Sequence, residues 1–581
     1  MTNKDEPLPG PSGMSGSRKR KWWEDKKKLT DEELEKILQE SESDIEPLDS
    51  DFDFHPSDLS EDESSEHEDD DELEMEQQPA TPEPEHRPTR RKTRLESGYV
   101  EWSDNSDSIR NFPFRRNEEL LIPPPENQPI SYFRHILTDS FIEKLVEETN
   151  VYAVEVFLSE KTKEKSRVIA WNETTSDELL IFLGLLLHMG HIRLNRLQDY
   201  WKKDPLFNIP VFSQNMSRNR FLLILRLLHF ERNPEEGEPA PDDRLYKVRG
   251  IIHLFNERMN EIYYPGRELS LDESMVLWRG RLTFRQYIKN KKHKYGIKLY
   301  MLTNPTGIIL KFMVYTGMLD DSGGKGHADK VVLKLLEEKL NVGHSVFMDN
   351  YYNSYALARK LSQNETHTTG TLRIDRRNCP TDVKKKKKLM KGDTIAKYAN
   401  GVMIGKWKDK REVCYISNEY KNEMVDSANK RGQIRQKPLP IVQYNKFMSG
   451  IDRQDQMLAY YPSERKTIRW PLKIFIHILQ MIMINAHSLY NKYSGKRANL
   501  YDFRLAVIRE LLGQQPERKP AGKLTHRLTT RKEKTASGKI MRKYCKDCHS
   551  RGKRKDTIYV CDSCPNAPGY CLDCAVITHK L

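Results

Sequence analysis

The sequence predicts an α/β core flanked by helical segments, set between an acidic N-terminal region and a small cysteine-rich C-terminal module. Three observations carry that prediction. Apolar residues alternate in twos, broken by turn signals, between 266 and 370. Helical three- and four-residue spacing precedes and follows that stretch. Three Cys-x2-Cys pairs crowd residues 545 to 574.

The chain has 581 residues, length for roughly two to four domains. Only 37% are hydrophobic, so part of the chain lacks the means to form a packed core. Between Asp31 and His86 there are 25 Asp/Glu against one Lys, a net of −24; the formal total is +12, which leaves +36 on the remainder. An acidic tail on a basic body is the pattern of proteins that handle nucleic acid. The N-terminus, MTNKDEPLPGPSG, has no apolar stretch of the signal-peptide kind. "LLIFLGLLLHMG" is too short to span a bilayer, and "LKIFIHILQMIMINAHSLY" carries Lys473, His477, Gln480, Asn485 and His487, as a buried helix of a soluble fold does. No membrane partner is expected.

Residues 1–111 read as an unstructured acidic region. "SRKRKWWEDKKK" and "RPTRRKTR" are basic clusters, open to two readings: nuclear import or loose DNA contact, and plain solvated charge. The serines of "SDLSEDESSEHEDDDE" suit an acidophilic kinase, and phosphate there would deepen the negative charge. Residues 112–265 are helical. Thr175 and Glu178 stand at capping-box spacing before an apolar run, and "MSRNRFLLILRLLHF" forms a second helix. Its Arg218, Arg220 and Arg226 suit phosphates or, more simply, a solvent face.

After Pro265 "ELSLDESMV" alternates as a strand, and "YGIKLYML-TNPTG-IILKFMVY" is a hairpin. An amphipathic helix over 329–340, the strand "HSVFM" and a helical stretch over 353–363 complete the series. Strand, strand, strand, helix, strand, helix is the opening order of a ribonuclease-H-like fold, here residues 266–370. It puts Asp272 within the first strand and Asp349 at the end of the fourth, which would be the first strand's neighbour. Strand ends of α/β sheets are where chemistry gathers. Asp452 and Asp455, in "NKFMSGIDRQDQMLAYY", follow on one face of a later helix. Residues 371–430, with the run "KKKKK" and a hairpin in "VMIGKWKDKREVCYIS", read as an inserted subdomain before the core resumes at 431–455.

Three or four carboxylates suit Mg²⁺ or Mn²⁺, hard cations that take oxygen ligands. Paired ions of that kind activate a water or 3′-hydroxyl and steady the leaving oxygen of a phosphodiester. On spacing alone, helix capping by Asn353 or Ser354 and scattered surface acids remain open alternatives. The C-terminal pattern is more specific. Cys545, Cys548, Cys561, Cys564, Cys571 and Cys574, with His579, give seven zinc ligands, and His549 is the eighth candidate. Alternate pairs sharing an ion is the expected arrangement. The segment 521–543 before this module is a basic linker, with eight Lys/Arg and one Glu from 523 onward.

The blocks "SLDESMVLWRGRLTFRQYIKNKKHKYGIKLYML", "FMDNYYNS", "GTLR", "YNKFMSGIDRQDQM" and "SERKTIRWP", followed by a Cys-rich terminus, resemble the piggyBac transposases from about residue 115 to the end. The resemblance implies a cut-and-paste DNA transposase with catalytic Asp272, Asp349 and Asp452 and with Asp455 as a further acid. It implies that Trp470 stacks on DNA bases, although a core aromatic at a helix start fits the same residue. It further implies TTAA target sites, hairpin intermediates on transposon ends, homodimers and nuclear work. A helical dimerisation and DNA-binding domain would comprise 112–265 and 456–520, and the zinc module, 544–581, would recognise terminal repeats. The Cys/His order at the terminus departs from the best-known member, which leaves the number of zinc ions open. Two rivals stand beside this reading: a DNA-binding relative that no longer mobilises DNA, and a chromatin-reading adaptor built on the zinc module.

Overall fold

A computed structural model describes residues 100–159, 166–234, 238–239, 241–288, 294–317, 323–324, 326–385, 389–428, 432–513, 528–535 and 539–579. The acidic tract, most of the basic clusters, Lys386 to Lys388 and the start of the basic linker lie outside the described residues, as does the side chain of His579.

The first helical segment contains α1 (Pro129–Ile136), α2 (Asp139–Leu158), α3 (Ser176–His188), α4 (Arg218–Leu227) and α5 (Tyr246–Ile262). Thr175 caps α3 by accepting the N–H of Glu178 at 3.2 Å. The reciprocal half of the capping box is absent: the Glu178 carboxylate turns to Arg220, whose Nε donates to it at 2.7 Å. Arg220 also lies 4.4 Å over Trp171, so it joins two helices and does not stand on an open cationic face.

The core sheet holds β1 (Glu268–Leu277), β2 (Tyr295–Thr303), β3 (Ile309–Val314), β4 (Ser345–Met348) and β5 (His367–Thr371) in the order β3-β2-β1-β4-β5. β1 pairs antiparallel with β2 and parallel with β4, and β4 pairs parallel with β5. The crossover from β3 to β4 is α6 (His327–Leu336), whose Val331, Val332, Leu335 and Leu336 are buried. Its start at Gly326, φ 74°, uses the left-handed region that glycine enters without a Cβ clash. After β4 comes α7 (Tyr355–Gln363).

The inserted stretch does not stand apart from this sheet. Its strands β6 (Thr394–Ala399), β7 (Val402–Lys408) and β8 (Glu412–Ser417) continue it through the pairing of β8 with β5, giving nine strands with the short Gln286–Tyr287 strand beside β2. The hairpin expected in this stretch is β7–β8. The end of the region expected to lack structure is also ordered. Ser103 exchanges backbone hydrogen bonds with Tyr398 of β6, at 3.0 and 2.8 Å, and Trp102 packs on Tyr355. Apolar partners on the inserted strands supply what the acidic composition upstream does not.

A separate antiparallel ribbon, β9 (Met424–Ala428) and β10 (Ile434–Pro438), leads into α8 (Leu439–Phe447) and α9 (Gly450–Tyr460). The chain then enters α10 (Trp470–Tyr493) and α11 (Leu500–Gly513). α10 is long and apolar enough to cross a membrane, but 89% of its most apolar window is buried in the fold. Two of its buried polar residues are anchored from other elements: Asn485, fully buried, bonds both the N–H and C=O of Ile309, and His477 Nδ1 meets Glu464 at 2.8 Å. α10 and α11 pack on α1, and α11 on α3. The two helical segments, nearly 200 positions apart in sequence, thus form one bundle around a core shared with the sheet.

Candidate active site

Asp272 and Asp349 come together because β1 and β4 are parallel and in register. Glu268 to Leu271 pair with Ser345 to Met348 in turn, and each acid is the next residue on its strand. Asp272 is half-buried on a strand whose Leu269, Ser270, Leu271, Ser274 and Val276 are buried. Asp349 ends its strand on a turn held from several sides. Its Oδ1 accepts the Tyr351 N–H at 2.9 Å. Asn353, 1% exposed, donates to the carbonyls of Met348, Asp349 and Thr371. Ser354 alone caps α7, accepting the N–H of Leu357. Room for Asn353 comes from Gly370, where a Cβ would fall 1.8 Å from the Met348 oxygen and 2.4 Å from Asn353 Nδ2. The helix cap is therefore Ser354, while the Asp349 carboxylate holds the turn before it through the Tyr351 amide.

α9 lies across β1 and supplies the other two acids. Asp452 is exposed in its first turn, and Asp455, one turn on, accepts a hydrogen bond from Ser274 Oγ of β1 at 2.6 Å. The close approach needs Gly450: a Cβ there would meet Thr303 Oγ1 at 2.3 Å and the Asn304 oxygen at 2.5 Å. Ser270 Oγ secures the preceding helix by donating to the Phe447 carbonyl.

Tyr444, on α8, was not singled out from the sequence, and only its aromaticity eight positions before Asp452 could have flagged it. Its phenol hydrogen-bonds Thr371 and feels the charges of Asp349, Asp272 and Asp452 together. Burial first, and then those three carboxylates, push its pKa up. Asp349 is itself pushed up, by burial first and next by the charge of Glu273, while the amides of Tyr351 and Tyr352 and the ammonium of Lys298 oppose the shift.

Glu273 was also missed. On β1 it neighbours Asp272 but points to the other face of the sheet. Its Oε2 accepts from the hydroxyl of the fully buried Tyr352 at 3.0 Å. Lys298 Nζ stands 4.0 Å from its Oε1 and 4.6 Å over the ring of Tyr351. The turn after Asp349 is thus fastened through the sheet from behind. Trp470 begins α10 half-buried, edge-on to Phe284 at 5.4 Å and 88°.

Among the described residues, one group of metal-ligating side chains has its ligand atoms all within 4.8 Å of one another: Cys545, Cys548, Cys571 and Cys574. The acids stand farther apart than that. The sulfur separations Cys545–Cys571 3.6 Å, Cys548–Cys571 3.7 Å and Cys548–Cys574 3.6 Å approach the edges of about 3.8 Å expected for a tetrahedron of 2.3 Å Zn–S bonds. The first and third Cys pairs are joined and the second is passed over, the alternation expected of cross-bracing. Burial pushes the Cys545 thiol up, but the amides and thiols of Cys571 and Cys548 bring it down to about 7. Arg551 donates to Cys574 Sγ at 2.9 Å. Cys561 and Cys564 lie against each other. His549 is exposed with its ring on Tyr544, 4.8 Å between centroids, and is not among the clustered ligands. The module docks on the end of α2 through Val154, Phe157 and Leu158.

Comparison with known proteins agrees with this architecture. A family model described as "Transposase IS4" matches residues 128–487. Human PiggyBac transposable element-derived protein 3 is 27% identical over 459 residues, covering 75% of this chain and 74% of its own length. Human PiggyBac transposable element-derived protein 2 is 26% identical, covering 73% of each chain. Among solved structures, the cryo-EM structure of a piggyBac transposase synaptic complex with hairpin DNA superposes with a TM-score of 0.59 at 24% identity, covering 78% of this chain and 98% of that one. With well over half of the chain inside the family model, the protein belongs to the piggyBac-type transposase family.

Proposed function

We propose that this chain is a cut-and-paste DNA transposase in which Asp272, Asp349 and Asp452 hold divalent metal and Asp455 supports them. The observation that carries the reading is the in-register placement of Asp272 and Asp349 on parallel neighbouring strands, with α9 laid across them. The donor set fits: these are oxygen ligands, brought from β1, the end of β4 and α9. When bound, Mg²⁺ or Mn²⁺ supplies Lewis-acid activation of the attacking oxygen and stabilisation of the leaving oxygen.

The protein's own residues set the stage for that chemistry. Asn353, Tyr351 and the Glu273–Tyr352 bond keep the Asp349 turn in one conformation. Ser274 holds Asp455, and Gly450 admits α9 to the sheet. Trp470, at the start of α10, would offer its exposed face to a base. The Cys545/Cys548/Cys571/Cys574 cluster would hold structural zinc in a module that recognises the transposon's terminal repeats, and Cys561, Cys564 and His579 would contribute to a second ion. Homodimers acting at TTAA sites in the nucleus, with kinase control of the acidic tract, complete the proposal.

A second reading draws on the names of the human relatives, which are transposable element-derived proteins. In it the chain binds DNA in the nucleus without moving it. The test incubates purified full-length protein with Mg²⁺ and DNA joining TTAA to the repeats that flank its gene, and resolves products on denaturing gels. Nicks and hairpin ends support the transposase. Binding without cleavage, beside an active relative as control, supports the second reading.

A further inference from the structure

β1 runs past the core into a surface hairpin. Trp278, 5% exposed, follows it, and the strand Gln286–Tyr287 then folds back on the start of β2, with Tyr287 opposite Tyr295 and Gln286 opposite Gly296. No Asp or Glu occurs from Trp278 to Tyr295, and Arg279, Arg281, Arg285 and Lys294 are all exposed.

The hairpin is firmly built on its inner side. Phe284, 2% exposed, is its inward anchor and meets the edge of Trp470. At Gly280 a Cβ would come within 2.8 Å of the Trp278 ring, and at Gly296 within 2.3 Å of the Val276 oxygen, so the loop fits the strand closely. Its outer side carries two aromatic rings. Tyr287 and Tyr295 are 55% and 45% exposed, with centroids 4.7 Å apart at 47°. The Arg285 guanidinium lies 5.3 Å over Tyr295 and is steadied by donating to the carbonyls of Arg279 and Gly280 at 2.9 and 3.2 Å. A lone exposed apolar residue needs no explanation. Two adjoining rings with a stacked guanidinium, on a cationic segment that carries no acid of its own, have the makeup of a surface that takes bases on its rings and phosphates on its flanking cations.

We propose that the Tyr287–Tyr295 pair with Arg285 is a stacking platform for an unpaired DNA base, and that Arg281 and Lys294 take the flanking phosphates. The inference rests on the DNA-handling function proposed above and deepens it by assigning a site apart from the acids. Charge complementarity selects the occupant, and contact of Phe284 with Trp470 makes the platform continuous with the aromatic beside the core.

The test measures binding by fluorescence anisotropy with full-length protein and no added magnesium, so that it is independent of cleavage. The probes are a blunt duplex, the same duplex with an oligo-dT tail, and oligo-dT alone. The unaltered protein is expected to bind the tailed duplex more tightly than the blunt one. Replacing both tyrosines by Leu should cut that gain roughly tenfold, while replacing both by Phe should keep it. Arg281→Ala should lower the slope of log K against log salt by about one. If oligo-dT alone shares the tyrosine dependence, the platform takes any single strand; if only the tailed duplex does, it takes a junction. An equal affinity of the Leu variant for the tailed duplex, with unchanged melting temperature, would overturn the proposal. So would a loss of dimer mass in light scattering with DNA binding intact, which would assign the rings to a second copy of the chain.

Discussion

Asp272 and Asp349 each stand one residue beyond Leu271 and Met348, which face each other across the parallel strands β1 and β4. Moving either strand by one residue would turn its acid to the opposite face. The site therefore depends on register, and register on what fastens the two strands and α9.

Gly450→Ala tests the seating of α9. The added methyl would meet Thr303 Oγ1 and the Asn304 carbonyl, and overpacking of this kind costs about 1–3 kcal/mol. The melting temperature should fall, and strand cleavage should fall more steeply than DNA binding, because Asp452 and Asp455 ride on the displaced helix. A gel-shift titration beside the cleavage assay separates the two.

Tyr352→Phe removes only the hydroxyl that reaches Glu273. The stability cost should be about 1 kcal/mol, readable as a shift in denaturant midpoint. Cleavage should drop by about tenfold to a hundredfold, the scale on which a misplaced catalytic group is felt. An activity loss matched to the small stability loss would mean that the bond does not position Asp349.

Acid should loosen the helical bundle and the start of β4 before the carboxylates titrate. Burial, and then nearby cations or His188, hold His229 down to about 3 and His191 down to about 4; burial, opposed by the Arg267 carbonyl, leaves His344 at about 4, all from an ordinary 6.5. Their folded values lie below their unfolded ones, so the unfolded chain takes up the extra protons. Stability is complete above pH 6.5 and is lost as pH falls from there toward 4 and 3. Thermal melts across that range should show the decline, and His229→Phe, which keeps a ring against Tyr152, should lessen it.

Chelating the zinc proposed for Cys545, Cys548, Cys571 and Cys574 should unfold the C-terminal module alone. A segment this small has little apolar core beyond its sulfurs and the docking contacts with Leu158 and Phe157. Hydrogen exchange should rise over 539–579 and at the end of α2, and stay unchanged in β1 to β5.

The parts legible in the sequence were those written in local pattern. Alternation around Asp272, the turn before β3 and the apolar face of α6 are read from adjacent residues. The Cys-x2-Cys pairs are equally local. The remainder arises from contacts across long stretches of chain. Glu178 answers Arg220, 42 positions away, instead of its own cap. Tyr444 and Glu273 belong to the site through packing of α8 on β5 and of Tyr352 behind β1, for which no spacing rule exists. The insertion joins the core sheet because β8 finds the free edge of β5, and a strand's sequence does not say which edge it will meet. Asn353 and Ser354 looked interchangeable as caps; burial of the first beneath Gly370 separates them.

The most direct measurement compares unaltered protein with Asp349→Asn on Mg²⁺-dependent cleavage of repeat-bearing DNA, with DNA affinity and melting temperature recorded for both. The amide keeps the shape and the hydrogen bond from Tyr351 but not the charge. Cleavage by the first and none above background by the second, at equal affinity and stability, is the predicted result. Cleavage by Asp349→Asn at the rate of the unaltered protein would contradict the account.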